Sequence, residues 1–248
     1  MLEIAAKLPP GALVGGEERL LAQAVTRSGG ARFVARAADL LRTDGKITGW
    51  RESRGAVDAQ AAVPNNGNSQ FEAGPPAALI YAEGVNCGFY VPAFAPEVKQ
   101  FSVAVIYASG GEARTLASVF TGQTNNMIFL SESEGRLLLK DRQSTIEASL
   151  PSPPPGRANL VLFSFDGKIL RLVSGGQTAV AEGQVPDLHY PADFFIGCRS
   201  NRPGLAKTQG RSKLHEVLFW PERALPGSTD PEALEALAAL DRYYRWTY

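Results

Sequence analysis

Two segments of the sequence, residues 121–126 and 199–202, concentrate side chains that could bind a polar ligand. They are rich in amides and guanidinium groups. An amide both donates and accepts hydrogen bonds and a guanidinium presents a planar fork of donors, so together they match the vicinal hydroxyls of a sugar. We interpret these loops as a candidate carbohydrate-contacting surface, with solvated turns as the alternative for each single residue. The candidate ligand-binding residues are Asn125, Asn126, Tyr190, Arg199, Asn201 and Arg202.

Catalytic patterns are scarce in the sequence. Its two histidines are His189 and His215, and His215 lies in a strand-like pattern, where a packed or hydrogen-bonded role is expected. The sequence has no Gly-x-Ser-x-Gly elbow, no Cys/His spacing typical of zinc sites and no glycine fingerprint for nucleotides. The acidic residues Glu132, Glu134 and Glu222 neighbour turn residues, and we expect them to be solvated.

Composition excludes some classes of protein. The 248 residues include 25 Lys or Arg and 25 Asp or Glu, so the formal net charge is zero and the basic surplus of a nucleic-acid binder is missing. Two cysteines, Cys87 and Cys198, do not make a disulfide framework. They are predicted to be buried thiols, with a single bridge as the alternative.

The first ten residues show no basic segment followed by an apolar run, and the chain has no long uninterrupted apolar stretch. We therefore expect synthesis in the cytoplasm without a signal peptide and no insertion into a membrane.

The C-terminal third of the sequence contains an ordered series of strand patterns. Residues 159–165 and 168–173 flank Asp166-Gly167, a strong hairpin signal that is typical of a type I′ turn. Two further strand-like runs follow at residues 194–198 and 214–220.

This order resembles the concanavalin A-like jelly rolls of the laminin-G-like kind. The resemblance extends to the N-terminal half, where Trp50-Arg-Glu-Ser-Arg-Gly55 is similar to the motif V-x-x-W-x-D-x-S-G, with Glu52 in place of the aspartate and Arg54 interrupting the Ser-Gly pair. It implies an all-β sandwich of two antiparallel sheets, with Trp50 packed as a loop anchor. In that family the fold is mostly a module for carbohydrate or protein recognition.

Two parts of the chain are predicted outside the sandwich strands. Residues 1–30 form an N-terminal arm with a short helix at 17–25, which is either a docking arm for attachment or oligomerisation or a lid on the sandwich. Residues 31–248 form the jelly-roll domain, and the proline-rich segment 151–156 is interpreted as a loop inside it.

A C-terminal helix is predicted from about residue 230 to 245, packed against a sheet edge. Thr229 and Glu232 fit a capping box. The predicted apolar stripe consists of Leu234, Leu237, Leu240 and Tyr244.

The resemblance also bears on metal and activity. Many members of the fold bind calcium through loop carboxylates and amides; the candidates for such a site would be Asp58, Asn65, Asn66 and Asn68, although they have no fixed ligand spacing. We expect no metal and no cofactor. Endoglucanases of this fold carry a Glu-x-Asp-x-x-Glu strand, a pattern that is missing from this sequence.

The sequence thus predicts a non-enzymatic, lectin-like module that binds surface polysaccharide. Its expected setting is a fibre or spike of a phage-like particle or gene transfer agent, with residues 1–30 contacting other particle proteins. The alternatives are a glycoside hydrolase on the same fold and a purely structural virion decoration protein.

Overall fold

The computed structural model describes residues 14–95, 97–183, 188, 191–203 and 206–248. In these ranges the chain forms two β-sheets and two α-helices. Helix α1 spans Val14–Arg27, helix α2 spans Pro231–Thr247, and short 3₁₀ helices span Ala37–Asp39 and Ala206–Thr208. Strands β1 to β17 span, in order, Ala31–Val34, Leu40–Thr43, Lys46–Arg51, Asp58–Ala61, Gln70–Glu72, Ala78–Tyr81, Phe89–Ala95, Phe101–Ser109, Arg114–Phe120, Met127–Ser133, Arg136–Asp141, Glu147–Pro151, Ala158–Phe165, Ile169–Ser174, Gln177–Glu182, Ala192–Ile196 and Ser212–Trp220.

The strands form two sheets that pack face to face. The first sheet has the order β15-β14-β13-β8-β17-β6-β5, with β1 also paired to β17, and the second has the order β12-β11-β10-β9-β16-β7-β4-β3-β2. Every pairing between these strands is antiparallel. The prediction of an all-β jelly-roll sandwich with a C-terminal helix is confirmed.

Strand β8 is buried on both faces, as its continuous apolar pattern predicts. Phe101, Val103 and Val105 belong to the core between the sheets. Ala104 and Ile106 belong to a second apolar cluster that includes residues of both helices. Because a strand directs alternate side chains to opposite faces, burial on both sides requires a third layer, which the helices supply.

The predicted hairpin at Asp166-Gly167 is present, but its turn differs from the expected one. Phe165 of β13 pairs with Leu170 of β14, so the loop is longer than a two-residue turn. Only Gly167 has a positive φ, of 96°, whereas a type I′ turn needs positive φ at both central residues. The Asp166 carboxylate instead accepts hydrogen bonds from the backbone N–H groups of Lys168 and Ile169.

Helix α2 lies on the outer face of the first sheet, not against a sheet edge as predicted. Its residues pack with Ala104, Leu162 and Leu218. The N-cap is Asp230, whose side chain accepts a hydrogen bond from the Glu232 N–H, so the assignment of Thr229 as N-cap was wrong. The buried stripe also differs from the predicted one, since Leu234 is 50% exposed. It consists of Ala233, Ala236, Ala239, Leu240 and Tyr243, and its small alanines allow the helix to approach the sheet closely.

Helix α1 packs beside α2 on the same outer face. Leu21 is fully buried there, and Trp220 of β17 belongs to the same apolar cluster. The Trp220 indole donates a hydrogen bond to Ser28 Oγ (2.8 Å), and a Cβ added at Gly30 would lie 2.5 Å from the indole nitrogen. The segment after α1 is therefore packed against β17. Residues 1–13 of the predicted arm lie outside the described ranges, and its role in attachment stays a prediction.

A buried ionic network joins β1, β17 and α2. Glu216 has no exposed surface, and its Oε2 accepts a hydrogen bond from Arg32 Nε at 2.9 Å. The hydroxyls of Tyr243 and Tyr248 donate to Glu216 Oε1. Burial, followed by the negative charge of Glu216, raises the pKa of both tyrosines, so the hydroxyls remain donors.

The motif around Trp50 has a structural role in this chain. Trp50 is fully buried and its indole donates to the Val34 carbonyl at 2.8 Å, which confirms the predicted packing role. Glu52 is buried and accepts hydrogen bonds from the backbone N–H groups of Arg32, Arg54 and Ala56. The carboxylate thereby fixes the loop that follows β3.

Cys87 and Cys198 are both free and buried, as predicted. Burial raises the pKa of each thiol, so neither is activated as a thiolate. Among the residues that the structure describes, no helix has the length and apolar character needed to span a membrane.

Candidate ligand-binding groove

Four separate segments meet on the outer face of the second sheet. They are the β9–β10 loop at residues 121–126, the β11–β12 turn at residues 142–146, the segment after β16, and the 3₁₀ helix Ala206–Thr208. Strands β11, β10, β9 and β16 are consecutive neighbours in that sheet. The sheet order therefore brings together segments that are far apart in the sequence.

Arg199 lies across the sheet surface in a fixed position. Its guanidinium carbon is 3.9 Å from the centroid of the Phe129 ring on β10, a cation–π contact. Its Nε donates a hydrogen bond to Thr115 Oγ1 at 3.0 Å, and its backbone carbonyl accepts one from Ser118 Oγ at 3.1 Å. Contacts with two adjacent strands thus hold this cation in one place on the sheet surface.

The turn that carries Arg142 is organised by a buried carboxylate. Asp141 accepts hydrogen bonds from the backbone N–H groups of Gln143, Thr145 and Ile146. The backbone N–H of Arg142 itself donates to the Met127 carbonyl at 3.2 Å. This arrangement pins the backbone while the Arg142 side chain remains exposed to solvent.

Two adjoining cavities, of about 280 Å³ and 290 Å³, occupy this face. They share Arg142, Arg199 and Lys207, which form the wall between them. We call the pair the basic groove. Its first cavity is also lined by Phe120, Thr124, Asn125, Met127, Ser200 and Arg202. Its second cavity is also lined by Arg114, Phe129, Ser131, Ser133 and Lys140.

The charged side chains in the described lining of the basic groove are all cationic. No carboxylate belongs to the described lining of either cavity. Arg114 and Lys140 are ion-paired with Glu112 and Glu147 respectively, at the margin of the groove. Burial, followed by the positive charges of Arg142 and Arg114, lowers the pKa of Arg199 to about 10. The protein therefore concentrates cations here although its formal net charge is zero.

The structure brings together some of the residues predicted from the sequence. Asn125, Arg199 and Arg202 line the same cavity. Asn126 is not part of that lining, and its backbone closes the loop through hydrogen bonds with Thr121 and Gln123.

Two further predicted residues do not join this group. Asn201 accepts a hydrogen bond from the Val63 N–H at 3.0 Å and is not part of the described lining. Tyr190 lies outside the described residues.

Arg142, Lys207 and Phe120 were not among the residues predicted from the sequence. Arg142 lies in the β11–β12 turn and Lys207 in the 3₁₀ helix Ala206–Thr208, and nothing in their local pattern links them to Arg199. Phe120 is the last residue of β9 and lines the first cavity. Knowledge of which strands are neighbours would have been needed to assemble this set.

The position of Glu132 differs from the predicted one. It was predicted to be solvated in a turn, but it is 2% exposed in β10. It accepts hydrogen bonds from Tyr107 Oη at 2.7 Å and Ser109 Oγ at 2.6 Å. Its carboxylate is thus held between the sheets and does not belong to the groove.

Three of the four candidate calcium ligands, Asp58, Asn65 and Asn68, have protein partners. The Asn65 amide donates to Ser69 Oγ and the Gly88 carbonyl, and the Asn68 amide donates to the Asn86 carbonyl. Asp58 forms an ion pair with Arg51 at 3.6 Å. Among the described residues, no cluster of three or more His, Cys, Asp or Glu has metal-binding geometry. The expected absence of a metal and of a cofactor stays a prediction.

The chain is similar to known proteins in its structure and not in its sequence. No family model matches the sequence, and no curated protein matches it. Domain 4 of AbnA, a GH43 extracellular arabinanase from Geobacillus stearothermophilus solved with arabinotriose, superposes with a TM-score of 0.56 at 17% identity, over 77% of this chain and 91% of that one. The common feature is the β-sandwich fold.

Two larger proteins share the fold over part of their length. Trypanosoma rangeli sialidase matches with a TM-score of 0.52 at 13% identity, over 93% of this chain and 39% of the sialidase. The binding domain of botulinum neurotoxin serotype D matches with a TM-score of 0.50 at 10% identity, over 82% of this chain and 50% of that one. The chain therefore spans well under two thirds of each of these proteins.

Proposed function

We propose that the protein is a non-enzymatic glycan-recognition module that binds its ligand in the basic groove. The observation that carries this proposal is the placement of Arg199 on Phe129 beside Asn125, Thr124 and Phe120. A planar guanidinium, an amide, a hydroxyl and an aromatic ring around one cavity are the groups with which proteins hold sugar rings and their hydroxyls. The arabinotriose solved with the AbnA domain adds support by analogy of fold alone.

A binding role is favoured over hydrolysis by the chemistry of the groove. Glycoside hydrolysis commonly needs two carboxylates that flank the scissile bond. None lines the groove in the described part of the chain, and the buried Glu132 and Glu216 already accept hydrogen bonds from neighbouring hydroxyls. Hydrolase activity would therefore need a site of a different kind.

A larger cavity of about 700 Å³ beside the end of α2 is the second candidate site. The histidine and the lysine in its lining already have partners. His215 Nδ1 is hydrogen-bonded to the Ala77 carbonyl at 2.8 Å, and Lys213 is paired with Glu72 at 2.5 Å. We favour the basic groove because three of its cations, Arg142, Arg199 and Lys207, have no ion-pair partner among the described residues.

The biological setting belongs to the same proposal. We propose that the module is a fibre or spike component of a phage-like particle or gene transfer agent that binds host surface polysaccharide. The resemblance of the sequence to jelly rolls found in such fibres supports this setting. A particle-borne module would bind through several copies at once, which multiplies weak affinities.

Glycan arrays and whole cells provide the test, with the protein displayed in several copies. We expect binding to at least one glycan class without release of reducing sugar. Asn125→Ala removes one hydrogen bond, which contributes about 0.5–1.5 kcal/mol, and should weaken binding about two- to tenfold.

Arg245→Ala is the matched control, because its side chain is 72% exposed on α2, away from the groove. Its binding should equal that of the unchanged protein. Sustained hydrolysis of a bound glycan, or equal binding by the Asn125 and Arg245 variants, would contradict the proposal. A protein that binds no glycan but remains assembled in particles would favour the structural decoration role.

A further inference from the structure

The wall between the two cavities is unusual for a site that recognises neutral sugars. Arg142, Arg199 and Lys207 line both cavities, and the described lining contains no carboxylate. Arg142, Arg199 and Lys207 have no ion-pair partner among the residues that the structure describes. Three like charges at one wall repel each other, so the free groove holds an electrostatic cost that a bound anion would relieve.

The donors on this wall are also arranged to receive an anion. Arg199 uses Nε to bond Thr115, and its guanidinium carbon lies over the Phe129 ring. Its terminal nitrogens make no hydrogen bond with any described residue, so one edge of the fork is available. A guanidinium edge binds a carboxylate or a sulfate through two parallel hydrogen bonds, which Lys207 and Arg142 would supplement as point charges.

We propose, resting on the proposed glycan-recognition function, that the ligand is an acidic glycan. Its anionic group, a carboxylate or a sulfate, is held at the wall by Arg142, Arg199 and Lys207. The sugar that bears this group occupies the first cavity beside Phe120 and Asn125, and an adjacent sugar occupies the second cavity beside Ser131 and Ser133.

The arrangement fits an acidic glycan better than a nucleic acid. The formal charge of the whole chain is balanced, and the three cations of the wall line two separate cavities of about 280 Å³ and 290 Å³. Nucleic-acid binding depends on a longer basic track that follows successive phosphates. Discrete cavities instead favour an isolated charge with neutral hydroxyls on either side.

The test uses pairs of glycans that differ only in charge. Oligogalacturonate and its methyl ester isolate the carboxylate, and a sulfated carrageenan oligosaccharide and its desulfated form isolate the sulfate. A charge-assisted hydrogen bond is about twice as strong as a neutral one, so we expect one acidic member to bind at least about tenfold more tightly than its neutral partner. The pair of glycans that shows this preference identifies the anion as a carboxylate or a sulfate.

Variants then show which residues cause the preference for the acidic glycan. The double variant Arg142→Ala/Lys207→Ala alters two exposed side chains and should lose most of the acidic preference without a change in melting temperature. Arg245→Ala should keep the preference. If the double variant discriminates as well as the unchanged protein, the wall is not the anion site and the inference is wrong.

The outcomes separate this inference from the proposed function. Equal affinity for acidic and neutral partners would overturn the acidic-glycan inference and leave glycan recognition intact. Equal affinity for a polythymidylate of matched charge would overturn it as well, because the groove would then select charge alone. If no glycan of either kind binds, the proposed function itself fails.

Discussion

Replacing Glu216 with alanine is expected to lower the free energy of unfolding by about 3–5 kcal/mol, because it removes the buried counter-ion of a buried cation. Arg32 and Glu216 are 3% and 0% exposed, and the only other carboxylate that forms an ion pair with Arg32 among the described residues is that of the partly exposed Glu18, at 3.5 Å. Glu216 is also the acceptor for Tyr243 and Tyr248, so its loss leaves one buried and one partly buried hydroxyl without their partner. Chemical denaturation followed by tryptophan fluorescence provides the measurement.

A second variant separates the ionic network from simple packing. In Arg32→Met/Glu216→Leu both charges are removed and the volume is largely kept, so much of the lost stability should return. A loss below about 1 kcal/mol in Glu216→Ala would show that the network does not hold β1, β17 and α2 together.

The second large effect concerns helix α1. Leu21→Ala is expected to cost about 2–5 kcal/mol, because Leu21 is fully buried among residues of α2 and the outer face of the first sheet. Leu20→Ala provides a matched control on the same helix, since Leu20 is 39% exposed and its loss should cost less than about 1 kcal/mol. The comparison uses the same denaturation measurement.

The pair of leucine variants also distinguishes the two roles predicted for the arm. If the arm is a lid, Leu21→Ala should lose clearly more stability than Leu20→Ala. A protein that lacks residues 1–30 should then expose Trp220 and lose stability. Equal, small effects at both positions would contradict the packed arrangement and favour a detachable docking arm.

The sequence predicted those features that depend on local pattern. The continuous apolar character of β8 indicated burial on both faces, and the Asp166-Gly167 pair located a hairpin although its turn type was wrong. Trp50 was correctly predicted as a packed anchor. Each of these predictions depends on a single element or on the residues next to it.

Features that depend on distant partners could not be predicted. The stripe of α2 was misjudged because leucines outweigh alanines in an apolar pattern, while the sheet surface accepts the alanines. Glu132 was judged from the turn beside it, but Tyr107 and Ser109, which hold it, come from the other sheet. Likewise, Arg142 and Lys207 meet Arg199 only because of the order of strands in the second sheet.

The basic groove is the proposed site of glycan binding. Backbone amide NMR shifts, recorded during titration with the glycan that binds best in the array, test this site most directly. We expect the largest changes at Asn125, Arg142, Arg199 and Ser200. Changes concentrated at Lys213, His215 and Tyr248, around the larger cavity beside α2, would contradict it.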